Sequence, residues 1–350
     1  MKKNKVLITG AAGFLGLHLA KFFEKKNFSI RLLDIASFNK IEYPKNASFY
    51  HGDIRNIKQV MTATKDVDFI IHAAAALPLW KAKDIFEINI GGTKNLLQAG
   101  LANKVERLIY ISSTAVYGVP KKHPVLESDD MIGVGPYGQS KIAAEKLCDE
   151  YRRQGLTVTI IRPKTFVGTH RLGVFEILFD WIKDGKKIPV IGNGKNRYQL
   201  LDVDDLVEGI FRIIVHPNKK EINTVFNIGA KEFKSVKEDL QSLFDYAGSG
   251  SKVFPTPAAL VKFFLYVFEK MRISPLYQWV YDTADHDSFV SIDRLMKTIK
   301  WQPKFSNSKA LIKAYQWYID NYKEIKSRPA GVTHTVGWKQ GILGFFKRFL

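Results

Sequence analysis

The sequence predicts an α/β protein built on a doubly wound parallel sheet, followed by a smaller C-terminal lobe. Apolar runs of strand length alternate with runs of helix length from residue 5 to residue 162. A glycine-rich turn joins the first strand to the first helix, and the alternation loosens beyond Pro163. We therefore divide the chain into a sheet domain over residues 1–168, a lobe over 169–325 interleaved with the last sheet elements, and a linker with a terminal helix over 326–350.

The predicted elements follow one another in a regular order. In the first half the strand-like and helix-like segments are Lys5–Ile8, Phe14–Lys26, Ser29–Leu33, Ile57–Ala63, Phe69–Ala73, Phe86–Ala102, Arg107–Ile111, Tyr137–Arg153 and Thr157–Arg162. In the second half they are Val174–Lys183, a helix beginning near Asp204, a strand near Val225–Ile228 and a long helix near Lys309–Tyr322.

Composition excludes several classes of protein. The single cysteine, Cys148, rules out an intramolecular disulfide framework, and the N-terminus runs into a strand without a long apolar leader, so we expect a cytoplasmic protein. No stretch reaches the roughly 18–20 uncharged apolar residues that span a bilayer. The net charge of +19 comes from scattered lysines rather than from arginine- and aromatic-rich clusters, and we therefore discount nucleic acid as a partner.

The segment Thr9–Gly16 is the first candidate for a binding site. It follows a strand and opens a helix, which is the context in which glycines let backbone N–H groups approach a pyrophosphate at the positive end of the helix dipole. A glycine-rich turn without a ligand is the alternative. The sequence thus favours a Rossmann-type dinucleotide site, whose first contacts we assign to Gly10, Ala12, Gly13, Phe14, Leu15 and Gly16.

Asp34 closes the second strand, where an acidic side chain accepts hydrogen bonds from ribose hydroxyls and repels a 2′-phosphate. No arginine or lysine follows at once, so NAD is favoured over NADP. A strand-end turn former is the alternative reading of Asp34. Asp53 and Ile54 follow the third strand, and Ala73–Ala75 follow the fourth, where small side chains let a backbone pass close to a nucleotide.

Tyr137 and Lys141 lie four residues apart at the start of a predicted helix, so both side chains project from one face. An ammonium near a phenol favours the phenolate, and we expect Lys141 to lower the pKa of Tyr137 so that it can exchange a proton with a substrate hydroxyl. Ser113 ends a preceding strand and is placed to orient the substrate oxygen. A surface helix pair is the default reading of such a spacing when it stands alone.

Taken in order, these motifs resemble the extended short-chain dehydrogenase/reductases, the NAD-dependent epimerase/dehydratase superfamily that includes 3β-hydroxysteroid dehydrogenase-like enzymes. The resemblance rests on the glycine loop, Asp34, Asp53, His72–Ala74, Asn89 with Gly92–Thr93, Ser112–Gly118 and Pro136–Lys141. It implies a catalytic triad of Ser113, Tyr137 and Lys141, with Asn89 supporting the active-site helix, Lys141 holding the nicotinamide ribose, and Ser112 and Pro163 lining the cofactor. It also implies a homodimer formed through Phe86–Ala102 and Tyr137–Arg153, and it implies no metal.

Departures from the family pattern narrow the chemistry. The dehydratases and decarboxylases that this sequence resembles carry an acidic residue after the position of Ser113, whereas Thr114 and Ala115 stand here, so carboxylate-assisted elimination is not expected. Thr165 replaces the asparagine usual in sugar-nucleotide epimerases. Arg197 precedes a second-lobe signature in which an arginine can grip a diphosphate, or it is an exposed arginine on a turn. We assign Thr114, Thr165 and Arg197 to the substrate.

Two apolar segments of the second half allow more than one interpretation. The stretch Phe254–Tyr281 resembles the lobe of the steroid-dehydrogenase-like branch, although aromatic residues at helical spacing are usually core. Residues 338–350 place Trp338, Ile342 and several phenylalanines on one face of a basic helix. Such a helix suits docking on an anionic membrane surface, which would make the enzyme peripheral, or packing on the protein itself.

Three functional hypotheses follow. The first is an NAD-dependent epimerase acting at a secondary alcohol carbon of a sugar nucleotide or lipid-linked sugar by transient hydride transfer. The second is a 3β-hydroxysteroid dehydrogenase-like oxidoreductase acting on a hydrophobic alcohol or ketone. The third is a nucleotide-sensing or membrane-scaffold protein without turnover, which the intact set of Ser113, Tyr137 and Lys141 argues against.

Overall fold

The computed structural model describes residues 3–78, 80–170, 172–271 and 278–327, together with 330–331, 337–338, 344 and 347. The first half holds β1 to β6 and α1 to α5: β1 Lys5–Thr9, α1 Phe14–Lys25, β2 Ser29–Asp34, β3 Ser48–His51, α2 Ile57–Thr64, β4 Phe69–His72, α3 Ala82–Phe86, α4 Thr93–Ala102, β5 Arg107–Ile111, α5 Gly135–Arg153 and β6 Val158–Pro163. Short 3₁₀ turns lie at Lys40–Glu42 and Thr114–Tyr117, and a π-helical turn at Glu87–Gly92.

The second half holds shorter strands and more helices. They are β7 Phe166–Val167, α6 Phe175–Lys183, β8 Ile188–Ile191, β9 Leu201–Asp202, α7 Val203–Ile214, α8 Lys219–Ile222, β10 Val225–Ile228, α9 Val236–Ala247, β11 Val253–Thr256, α10 Ala258–Lys270, α11 Gln278–Thr283, α12 Asp293–Ile299, α13 Asn307–Asp320, α14 Tyr322–Ser327, β12 Ala330–Gly331 and β13 Gly337–Trp338.

Seven strands form the central sheet in the order β10, β6, β5, β4, β1, β2, β3, and all of its pairings are parallel. Helices pack on both faces of this sheet, as the side chains of β1 show. Val6 and Ile8 pack with α1 and α7 in one core, while Leu7 packs with α2, α4 and α5 in the other. Since helices cover both faces, the central strands read as continuous apolar runs, and the predicted doubly wound sheet is confirmed.

The predicted helix over Phe86–Ala102 is broken in the structure. It consists of α3 up to Phe86, a π-helical turn over Glu87–Gly92, and α4 from Thr93. Such turns are often found at functional sites, and this one carries Asn89. Hydropathy periodicity could not find the break because the apolar spacing continues through it.

The smaller lobe has a core of its own. Buried side chains of α6, α9 and α13 pack together, among them Phe179, Leu243 and Tyr318. The chain also returns to the central sheet, since α7 packs on α1 and β10 pairs with β6 at the sheet edge. Among the described residues, no helix is long and apolar enough to cross a membrane.

The described part of the C-terminal segment includes Lys347. Its ammonium donates hydrogen bonds to Asp180 and Asp184, both at the end of α6. Most residues of the predicted amphipathic helix over 338–350 lie outside the described residues.

Candidate active site

The glycine loop after β1 is shaped by close backbone approach. Gly10 has φ +67°, and a Cβ atom there would lie 2.6 Å from the backbone nitrogen of Ala74. A Cβ on Gly16 would lie 2.5 Å from Cα of Ala11. Gly13 is the N-cap residue of α1 and has no side chain that could cap the first turn of the helix. The loop, made of glycine and alanine, therefore lies at a helix N-terminus without a capping side chain, which is the environment that a pyrophosphate requires.

Asp34 lies beside this loop, at the carboxyl end of β2. One carboxylate oxygen accepts a hydrogen bond from the backbone of Ala12 at 2.9 Å, and the other accepts from Ala36 at 2.8 Å. The carboxylate thus ties the glycine loop to the second strand. The half-buried Ala73–Ala75 lie on the other side of the loop, after β4. An added methyl group at Gly10 would clash with the backbone of Ala74, so the loop and the end of β4 pack backbone to backbone, which fits the tight turn of an NAD site.

Asp53 follows β3 and is held by Arg55, whose Nη2 atom lies 2.6 Å from the Asp53 carboxylate. The hydrogen bond from Arg55 lowers the pKa of Asp53. The side chain of Ile54 packs against Gly92, where a Cβ would lie 2.4 Å from it. Sequence reasoning missed Arg55, although a cation two residues after an acid at a strand end was the available signal.

Tyr137 lies in the first turn of α5, and Ser113 lies near enough to its hydroxyl to lower the pKa of the phenol. Ser113 caps the 3₁₀ turn that follows β5, and its Oγ also accepts from the backbone of Ala115 at 3.1 Å. Burial raises the pKa of Tyr137 to about 12, against the opposing effect of Ser113. The structure therefore brings together the predicted serine and tyrosine.

Lys141 lies one turn further along α5 and is 2% exposed. Its Nζ donates to the backbone oxygen of Ile111 at 2.9 Å and lies 5.8 Å from the ring centre of Tyr137. Burial lowers the pKa of Lys141 to about 8. The expected lowering of the Tyr137 pKa was wrong for the protein's own groups, because burial of the phenol raises its pKa.

Asn89 joins the π-helical turn to the catalytic helix. Its Oδ1 accepts from the backbone of Ala76 at 2.8 Å, and its Nδ2 donates to Oγ of Ser140 at 2.9 Å. Ser140 in turn donates to the backbone oxygen of Tyr137 at 2.8 Å. The resemblance predicted that Asn89 supports the active-site helix, and these contacts connect Asn89 to the backbone of Tyr137 on that helix.

A buried histidine extends the same network towards β1. His72 is hydrogen-bonded to Thr9 through Nδ1 and to Thr93 through Nε2, both at 2.9 Å, and Thr93 donates to the backbone oxygen of Asn89 at 2.6 Å. Burial lowers the pKa of His72 to about 3, so the ring is neutral near pH 7. Sequence reasoning used His72 only as part of a family pattern and missed both threonines.

A buried ion pair lies behind the site. Arg162 on β6 is bound to the carboxylate of Glu145 on α5, and both side chains are at most 3% exposed. Ser112 donates its hydroxyl to the same carboxylate at 2.5 Å. The hydroxyl of Ser112, a predicted cofactor residue, is therefore bound to the ion pair. The sequence did not predict this ion pair because Glu145 and Arg162 are 17 residues apart.

The predicted substrate residues follow β5 and β6. Thr114 donates to the backbone oxygen of Pro163 at 3.3 Å, and the hydroxyls of Thr165 and Tyr198 lie 3.4 Å apart. Arg197 forms an ion pair with Asp287 at 3.1 Å, and its side chain is 52% exposed. The structure thus places Thr114 and Thr165 at the ends of these strands and engages Arg197 in a surface pair.

One buried cation in this region was missed. Lys164, directly after β6, is 2% exposed, and its Nζ donates to Oγ of Ser288 at 2.7 Å. Its only signal in the sequence was its place between Pro163 and Thr165, two residues already assigned to the site. In the described part of the chain, no group of three or more histidine, cysteine or acidic side chains is arranged to hold a metal ion.

The sequence of this chain is similar to those of known proteins. The sequence model of the NAD dependent epimerase/dehydratase family matches residues 6–229. An uncharacterized protein of Sinorhizobium fredii, y4nG, is 34% identical over 96% of this chain and 84% of its own length. A UDP-glucose 4-epimerase of Halalkalibacterium halodurans is 26% identical over 90% of this chain and 96% of its own.

A solved structure extends the similarity to the fold. The UDP-glucuronic acid 4-epimerase of Bacillus cereus, in complex with NAD, superimposes with a TM-score of 0.75 at 23% identity and covers 91% of this chain and 99% of that one. The 3β-hydroxysteroid dehydrogenase-like and non-catalytic hypotheses are not favoured by these matches. The chain belongs to the NAD dependent epimerase/dehydratase family and is an NAD-dependent enzyme of the extended short-chain dehydrogenase/reductase type.

Proposed function

We propose that this enzyme inverts a secondary alcohol carbon of a sugar nucleotide without net oxidation. NAD, when bound, supplies a hydride acceptor that can return the hydride. Tyr137 takes the proton of the substrate hydroxyl as the carbon is oxidised, and gives it back when the carbon is reduced on its other face. Ser113 holds the substrate oxygen beside Tyr137.

One observation carries this proposal: Ser140 and Asn89 fix the backbone of Tyr137, and Ser113 lies near enough to the phenol to lower its pKa. The reacting oxygen would meet a proton donor whose position does not depend on the substrate. Lys141 lies one turn away with its Nζ anchored on the backbone of β5, and we assign its remaining N–H donors to the nicotinamide ribose.

The residues after Ser113 favour epimerisation over elimination. A dehydratase or decarboxylase needs a second acid or base beside the reacting carbon, and Thr114 and Ala115 supply no carboxylate. The hydroxyl of Thr114 is already donated to the backbone oxygen of Pro163. The similarity to a UDP-glucose 4-epimerase supports a nucleoside diphosphate sugar as the substrate. Arg197 could then bind the diphosphate once its pair with Asp287 opens.

Nucleotide retention tests the proposal. An epimerase must keep its cofactor through both half-reactions, whereas a dehydrogenase must exchange it. Freshly purified protein is heat-denatured, and the released nucleotide is identified by chromatography. We expect about one NAD(H) per chain and interconversion of UDP-glucose and UDP-galactose without added NAD. An empty protein that turns over a sugar nucleotide or a hydrophobic alcohol only with added NAD would contradict epimerisation.

We also propose a homodimer formed through α4 and α5, in keeping with the family resemblance. Light scattering at micromolar concentration should give about twice the chain mass of 39.9 kDa. Ala143 lies half-buried on α5, and an Ala143→Glu substitution should shift the mass towards one chain because it places a charge on the shared face. A monomeric wild-type mass would contradict the dimer.

For the cell, we propose a cytoplasmic enzyme that docks on an anionic membrane surface through residues 338–350. The net charge of +19 supports this. Exposed apolar side chains on α10 add to it, namely Leu260, Phe263, Phe264 and Tyr266. The contacts of Lys347 with α6 support the alternative, in which this segment packs on its own lobe. Co-sedimentation with phosphatidylglycerol but not phosphatidylcholine vesicles is expected, and no binding to either would favour the packed alternative.

A further inference from the structure

Lys164 is a buried cation that the proposed chemistry does not use. It is 2% exposed, yet in the described part of the chain no carboxylate lies within ion-pair distance of its Nζ. Its described hydrogen bond goes to the neutral Oγ of Ser288. The rings of Tyr198 and Trp279 lie 4.8 and 5.9 Å from the ammonium. A buried lysine is normally paired, so an ammonium with one neutral acceptor calls for another partner.

The position of Lys164 in the chain is next to residues that we assigned to the active site. It directly follows Pro163, whose backbone oxygen accepts the hydroxyl of Thr114, and Thr114 is adjacent to Ser113. On its other side is Thr165, whose hydroxyl lies 3.4 Å from that of Tyr198. Lys164 therefore lies between Pro163, which we assigned to the cofactor, and Thr165, which we assigned to the substrate, and the Thr114 hydrogen bond connects Pro163 to the segment that carries Ser113.

The surroundings of Lys164 include other basic groups. Burial lowers the pKa of His123, and the nearby charges of Lys164 and Arg197 lower it further. The Nε2 atom of His123 is buried without a hydrogen-bond partner in the described chain. Asp287 is the carboxylate that faces this group, and Arg197 already binds it. Burial lowers the pKa of Lys164 to about 7, as expected for an ammonium that lacks a counter-charge.

We propose that Lys164 determines substrate specificity by binding a carboxylate on the sugar ring, so that the enzyme acts on a nucleoside diphosphate uronic acid in preference to a neutral hexose. The inference rests on the proposed epimerase function. A sugar carboxylate would accept the free N–H donors of Lys164 and supply the charge that the site lacks. A diphosphate is the less suitable anion, because Lys164 adjoins the residues that hold the reacting carbon.

The test compares UDP-glucuronate with UDP-glucose, both by kcat/KM for epimerisation and by calorimetric binding. Wild-type protein should prefer UDP-glucuronate, and Lys164→Met should reduce that preference by roughly 10- to 100-fold, since a charge-assisted hydrogen bond to a buried group is lost. Ser288→Ala is the matched control. It removes the described partner of Lys164 and keeps the ammonium, so the preference should persist.

The outcomes separate the inference from the proposed function. If Lys164→Met leaves the preference unchanged, or Ser288→Ala abolishes it equally, Lys164 only tethers β6 to the lobe and the inference is wrong while epimerisation stands. If wild-type protein turns over neither sugar, the proposed function fails, and binding alone decides the inference. Tighter binding of UDP-glucuronate that is lost in Lys164→Met supports it, and equal binding of the two sugars overturns it.

Discussion

The surroundings of Tyr137 and those of Lys164 differ in how their buried polar groups are bonded. Around Tyr137, Asn89 and His72 make hydrogen bonds on both sides, so these two side chains are satisfied within the protein. Around Lys164, a buried ammonium has one neutral partner, and Arg197 is half exposed. Side chains whose hydrogen bonds are already made need not rearrange when the substrate binds. An ammonium with few partners has N–H donors left for the substrate. We propose that this difference separates the part of the site that performs the chemistry from the part that selects the substrate.

The largest expected effect comes from the phenol. Tyr137→Phe should lower kcat by about 10²- to 10⁴-fold, because the proton donor is lost. Bound NAD and the melting temperature should stay near wild type. The matched control is Tyr117→Phe. The hydroxyl of Tyr117 bonds Asn227 and Arg162 behind the site, so its loss should cost about 1–3 kcal/mol of unfolding free energy and leave kcat nearly unchanged. Equal losses of kcat in both variants would contradict a specific role for Tyr137 in proton transfer.

A smaller effect is expected from the network that positions Tyr137. Asn89→Ala leaves the backbone N–H of Ala76 and the hydroxyl of Ser140 without their partner, so unfolding free energy should fall by about 1–3 kcal/mol. The catalytic helix would also shift, and we expect kcat to fall roughly 10- to 100-fold with little change in KM. Asn227→Ala, at an equally buried asparagine on β10, should lose similar stability and keep kcat. A kinetic loss confined to KM would contradict positioning.

The smallest effect is on stability and depends on pH. Burial lowers the pKa of Lys164 from 10.5 to about 7, so between these values the unfolded chain holds a proton that the folded chain has released. Stability therefore rises with pH across this window, and below about pH 7 the folded protein bears the whole cost of the buried ammonium. Lys164→Met should raise the melting temperature by roughly 3–6 °C at pH 6, and the gain should shrink towards pH 10.

An exposed lysine provides the control for this pH dependence. Lys187→Met removes the same charge from the surface and should give no pH-dependent change in melting temperature. A constant difference between wild type and Lys164→Met from pH 6 to pH 10 would show that Lys164 has an ordinary pKa in the folded state. The surroundings of Lys164 would then lack the uncompensated charge that distinguishes them from the surroundings of Tyr137.

Much of the fold could be predicted from the sequence because its signals are local. The strands of the central sheet are buried on both faces, so they read as apolar runs, and the strand near Val225–Ile228 was found in this way. The glycine loop could be found from its place between a strand and a helix. Tyr137, Lys141 and Ser113 are recognisable from their order along the chain.

The missed features depend on distant partners. The π-helical turn forms where Asn89 reaches Ala76 and Ser140, which lie 13 and 51 residues away. Lys164 contacts Ser288, 124 residues away, and lysine is a residue that sequence reasoning places on the surface. The pKa of Tyr137 was mispredicted because charge proximity can be read from helical spacing, whereas burial of the phenol cannot.

Isotope transfer during turnover tests the central proposal most directly. Epimerisation of an unlabelled nucleoside diphosphate sugar is run in deuterium oxide, and the inverted carbon of the product is examined by NMR. If the hydride leaves this carbon and returns to it, as we expect, the product carries no deuterium there. Incorporation of solvent deuterium at that carbon would show that Tyr137 removes a carbon-bound proton, and it would contradict transient oxidation.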